Sequence, residues 1–162
     1  MAQYCLVANL DRKEFLSPKQ FGEGVNLWSF GFNSVGTMTG LAILLNPSDG
    51  RRFPLDGGPV NPIIGRWAGQ RIAIIGDYLM PTYARHVDVP GEQGELYFRI
   101  DEQGDGWIDI SEHVIATLEM VYRVHAIRER LARDPHAQLR HRSELRPDGS
   151  VVAVDPSGND IE

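Results

Sequence analysis

The sequence predicts an α+β domain, and three observations lead there. Strand-like and helix-like patterns are interspersed along the 162 residues without regular βαβ spacing. Arg71 to Gly76 is a short apolar run closed by glycine, as a buried strand requires. From Ser111 an apolar stripe of Val114, Leu118, Val121, Val124, Ile127 and Leu131 recurs every three to four residues until Asp134-Pro135. The expected architecture is a small, mostly antiparallel sheet covered by two helices, about 34–45 and 111–133. It forms one domain over 1–154, followed by a polar tail at 155–162.

Taken in order, residues 3–9 read as a half-buried strand, with Asp11-Arg12-Lys13 as the turn and Glu14-Phe15-Leu16 as a short return. In Val25 to Phe32 the aromatics Trp28, Phe30 and Phe32 fall on every second residue, which favours a strand over a short helix. Ser34 reads as the N-cap of the next helix, with Met38, Leu41, Ala42 and Leu45 on one face and Asn46-Pro47 as its stop. Pro47 to Pro62 holds four prolines and three glycines and reads as a long loop. A second irregular stretch runs from Leu79 to Gly94, and Glu95 to Ile100 fits either strand or helix. Ser111 reads as the N-cap of the long helix. Near the end, Pro147-Asp148-Gly149 signals a hairpin turn before Ser150 to Val154.

Composition bounds the function. Hydrophobic residues make up 42% and charged residues 23%, the balance of a globular chain with its own core. The longest strictly apolar run, Leu41 to Leu45, is far short of the roughly 20 residues of a membrane span. No secretory signal is visible at Met1-Ala2-Gln3-Tyr4, and the lone Cys5 fits a reducing compartment, so the expected location is the cytoplasm. The net charge is -6, yet Met120 to Pro147 holds seven arginines against three acids, leaving about -10 for the rest. No aromatic residues interleave those arginines, so the expectation is a solvated face paired with acids elsewhere, not a nucleic-acid arm.

Several short motifs resemble a set of small bacterial proteins without a known activity. They are the Met1-to-Tyr4 start with Asn9-Leu10-Asp11, the segment Leu16 to Gly24, Gly36-Thr37-Met38, Trp67-Ala68-Gly69-Gln70-Arg71-Ile72, Gly76-Asp77-Tyr78 and Asp109-Ile110-Ser111. Those proteins carry Met-Gly-Gln-Tyr, Trp-Ala-Gly-Asp-Arg-Ile and Gly-Asp-Tyr-Ala-Asp. This chain departs at Ala2, Gln70 and Leu79-Met80, and the likeness covers roughly 1–120. The resemblance implies a single cytoplasmic bacterial domain and supplies no catalytic residue.

Nucleotide-binding motifs fail on chemistry. Gly31 to Met38 has phosphate-loop glycine spacing, but it lacks the lysine, and Met38 stands where a magnesium-binding hydroxyl is required. Gly22-Glu23-Gly24 lacks the third glycine of a dinucleotide fingerprint. A simple anion site at the Ser34–Gly36 helix start is the weaker alternative. Cys5 lies within a strand pattern, and no serine sits in a nucleophile elbow. A metal-dependent hydrolase would use Asp77 at the strand end with His86 and Asp88 from the following loop. The preferred reading is a non-catalytic binding or interaction protein that takes a protein or small-molecule ligand. Its surface would be the two long loops around Trp67, Asp77 and Tyr78, which bracket the best strand.

One further stretch resembles the twelve-residue EF-hand calcium loop. Asp101, Asp105, the Trp107 carbonyl, Asp109 and Glu112 fall at positions 1, 5, 7, 9 and 12, with Gly106 at the turn position and Ile108 at the apolar one. Gln103 replaces the expected position-3 ligand, and no second loop exists to pair with. The competing reading is a plain turn leading to the Ser111 helix, and calcium is the one cofactor the sequence brings forward.

Overall fold

The computed structural model describes residues 4–33, 35–47, 61–77, 96–102, 106–133, 142–155 and 157–161. Strand β1 (Cys5–Asn9) lies at the centre of a four-stranded sheet, between β3 (Ile72–Gly76) and β2 (Glu14–Leu16), with β4 (Ile108–Asp109) beyond β2. β1 runs antiparallel to both neighbours, pairing Val7 with Leu16 and with Ile74. β4 joins parallel to β2. The β1–β2 turn is held by Asn9, whose side-chain oxygen accepts the N–H groups of Asp11 and Arg12, both at 3.0 Å.

Both faces of this sheet are covered, so β1 reads as a continuous apolar run instead of an alternating one. Cys5, Val7 and Leu16 join one core with Phe21, Phe30, Leu44, Trp67, Val114 and Ile127. Leu6, Ala8, Phe15 and Ile75 join a second with Leu96, Tyr97, Ile100 and Trp107. The α+β class is as expected, with five α-helices among the described residues where two were predicted.

Three helices differ from expectation. Val25 to Phe32 is not a strand: α1 (Leu27–Phe32) starts at Asn26, whose side chain accepts the Ser29 N–H at 2.8 Å. That cap outweighs the two-residue aromatic period, burying Phe30 and leaving Trp28 74% exposed. α2 (Thr37–Leu45) begins later than predicted, and the carboxylate of Glu23 caps it through the Thr37 N–H (2.9 Å) and hydroxyl (2.6 Å). Ser34 lies outside the described residues. α2 buries Thr37, Gly40, Ile43 and Leu44, while Met38 and Leu45 of the expected stripe stay exposed. The reason is Gly40: a Cβ there would stand 2.9 Å from Val114 and 3.1 Å from Phe21, so the bare backbone sets the closest approach. The segment following β3 supplies α3 (Leu96–Asp101), which settles the strand-or-helix ambiguity as helix.

The long helix is two. α4 (Ser111–Tyr122) ends at Arg123, which takes the left-handed conformation (φ 53°), and α5 (Ala126–Arg133) follows. Ser111 is the first helical residue and not the cap. The break returns Ile127 to the same core that Val114 and Leu118 enter, so one apolar stripe serves both helices. Arg130 then ties α5 down, donating to the Phe21 carbonyl (2.8 Å) and the Val35 carbonyl (2.6 Å). At the C-terminal end, β5 (Arg142–Leu145) and β6 (Val151–Val154) form the predicted hairpin. The tail folds back on it: Asp160 bridges Val154, and the Ile161 N–H donates to the Ala153 carbonyl at 3.0 Å. No described helix is long and apolar enough to cross a membrane.

Candidate functional site

Asp77 sits where β3 ends, and its position follows from strand pairing. Its N–H donates to the Tyr4 carbonyl at 2.9 Å, and its carboxylate accepts the Tyr4 N–H at 3.0 Å. This two-way clasp closes the open end of the β1–β3 ladder and leaves the carboxylate partly exposed. Tyr4 in turn bridges Asn26, the residue that precedes Leu27 and Trp28. Three elements therefore meet here: the start of β1, the end of β3 and the start of α1.

A fourth element comes from below. Burial is the main cause that pushes the Tyr97 hydroxyl of α3 above its ordinary pKa, followed by the charges of Asp101 and Asp77, with Tyr4 adding a little. Tyr97 packs in the second core with Leu6 and Ile75, on the face of the sheet opposite α1, and Phe98 packs edge-on against it at 5.4 Å. Around this clasp Tyr4 is 46% exposed, Trp28 74% and Leu27 50%, whereas Phe98, 53% exposed, belongs to the helix on the other face of the sheet. The sequence reading singled out Asp77 but missed Tyr4 and Trp28. The Tyr4–Asp77 clasp spans 73 residues, and no local pattern reports such a contact.

Trp67 does not line this surface. It is fully buried, and its indole N–H donates to the Glu14 carboxylate at 2.8 Å. Glu14 also receives Arg66 through Nε (2.9 and 3.0 Å) and Nη2 (2.6 Å), and Arg66 reaches on to the Gly149 carbonyl at 2.7 Å. Burial would raise the Glu14 carboxyl, yet the Arg66 and Trp67 hydrogen bonds together with the nearby guanidinium charges hold it below its usual value. Trp67 thus belongs to a closed ion-pair cluster joining β2, the 61–71 segment and the hairpin, because a ring with its N–H pinned to a buried carboxylate cannot face a ligand. Tyr78, His86 and Asp88 lie outside the described residues. Among the described residues, no three His, Cys, Asp or Glu groups converge as a metal site. Cys5 is a buried free thiol, and desolvation pushes its pKa up, away from a reactive thiolate.

The 101–112 segment runs from the end of one helix to the start of the next. α3 ends at Asp101, Gly106 is left-handed (φ 72°), β4 covers Ile108–Asp109 and α4 begins at Ser111. Asp105 and Gln103 lie outside the described residues. Trp107 is buried in the second core. The Asp109 carboxylate is buried as well, accepting the Ser111 N–H at 2.9 Å and reaching the Gln20 amide at 3.5 Å. Burial pushes it up to about 7. Glu112 is engaged by Arg128, which also holds Glu119 at 3.1 Å.

The structure also brings together a pair the sequence left apart. The His113 Nε2 and Ser143 Oγ lie 3.0 Å from each other, and Ser143 donates its proton to the Asp109 carbonyl at 2.6 Å. The ring N–H must then donate to the serine, the reverse of what a serine nucleophile needs. Burial depresses the His113 pKa. The pair ties α4 to β5. Compared with protein-family models, curated proteins and solved structures, the chain matches none of them.

Proposed function

We propose that this chain is a non-catalytic, cytoplasmic binding protein that engages a protein partner through the sheet end around Asp77, Tyr4, Leu27 and Trp28. The observation that carries this reading is the exposure of two aromatic rings, Tyr4 at 46% and Trp28 at 74%, with Leu27 at 50%, beside the Tyr4–Asp77 clasp and the Tyr4–Asn26 bridge. Large aromatic side chains left in water cost solvation free energy, and they recur as the anchors of protein interfaces. The reversed His113–Ser143 polarity supports binding over serine-dependent hydrolysis. The single buried thiol supports a reducing compartment. A photo-crosslinking residue placed at position 28 in cells that express the protein should give a discrete adduct that the same residue at exposed Met120 does not. Equal labelling at the two positions would remove the basis for the reading.

A second reading, weak calcium binding by Asp101, Asp105, the Trp107 carbonyl, Asp109 and Glu112, is favoured by the helix end at Asp101 and the left-handed Gly106. It requires Glu112 to leave Arg128 and Asp109 to leave Ser111. A lone loop with these ligands should bind on the order of 10⁻⁵–10⁻³ M. Calcium titration followed by Trp107 fluorescence decides it: a saturable change abolished by Asp101→Ala and Glu112→Ala supports the site, and a flat trace to about 10 mM rejects it.

A further inference from the structure

We draw no further inference here: the strongest candidate, the apolar groove between α2 and α5's neighbour α4 lined by Ala42, Ile43, Leu118, Tyr122 and Val124, is an open helix–helix surface, and nothing in the structure shows what covers it.

Discussion

Replacing Asp109 by Asn should change how the stability of this protein depends on pH. The carboxyl is fully buried between Ser111 and Gln20, and burial raises it from 3.8 to about 7. Between those two values the folded protein holds a proton that the unfolded chain has released. Stability from this group is therefore complete below about pH 4 and is lost as pH rises to about 7. Each pH unit in that window weakens the fold by about 1.4 kcal/mol, giving a total on the order of 4 kcal/mol. Asn keeps an oxygen for the Ser111 N–H, and the Gln20 amide can turn to offer its oxygen, so the variant should fold. The assay is urea unfolding of both proteins from about pH 4.5 to about pH 8, followed by the fluorescence of buried Trp67 and Trp107. His113, which is depressed and loses stability as pH falls, contributes equally to both proteins and cancels in the difference. The wild type should lose about 3 kcal/mol relative to Asp109→Asn across that range. Parallel profiles would mean that Asp109 is ionised in the fold, and the account of its burial would be wrong.

Other perturbations test the remaining framework. Glu14→Gln leaves the Arg66 guanidinium, only 6% exposed, without its counter-charge, and should cost about 3 kcal/mol in chemical denaturation; a loss below about 0.5 kcal/mol would show that the cluster is not closed. Arg123→Gly relieves a left-handed conformation at the α4–α5 break and should stabilise by about 0.5–1 kcal/mol, where a continuous helix would instead be weakened by the glycine. Asp77→Ala removes one partly exposed acceptor and should lower stability by only about 1 kcal/mol; thermal collapse of that variant would make Asp77 a core group.

The parts of the fold written in local pattern were legible. Apolar β1 and β3, the Pro147-Asp148-Gly149 turn and the stripe from Val114 to Leu131 all appear as elements close to where the sequence puts them. The misreadings share a physical origin, because tertiary contacts overrode local period. Trp28, Phe30 and Phe32 alternate like a strand, yet the Asn26 cap makes a helix that buries Phe30 and leaves Trp28 exposed. Met38 and Leu45 lie on a helix apolar nearly all round, so only the Gly40 contact with Val114 and Phe21 decides which face turns inward. Arg123 gives no turn signal, since left-handed residues are more often glycine or asparagine. At the site, Asp77 was legible as a strand-end carboxylate. For Trp67 the sequence pattern alone does not choose between core and pocket, and its buried bond to Glu14, 53 residues away, decides for the core.

The central claim is that the aromatic sheet end is the binding surface. The most direct measurement is the affinity of the partner crosslinked through position 28, titrated against the wild type and against Trp28→Ala, Tyr4→Ala and Met120→Ala. Interface anchors cost about 2 kcal/mol or more when truncated, so Trp28→Ala and Tyr4→Ala should each weaken binding about 30-fold. Met120, 71% exposed on α4, should change it less than about twofold. Unchanged affinity in the Trp28 and Tyr4 variants, or an equal loss in Met120→Ala, would contradict the account.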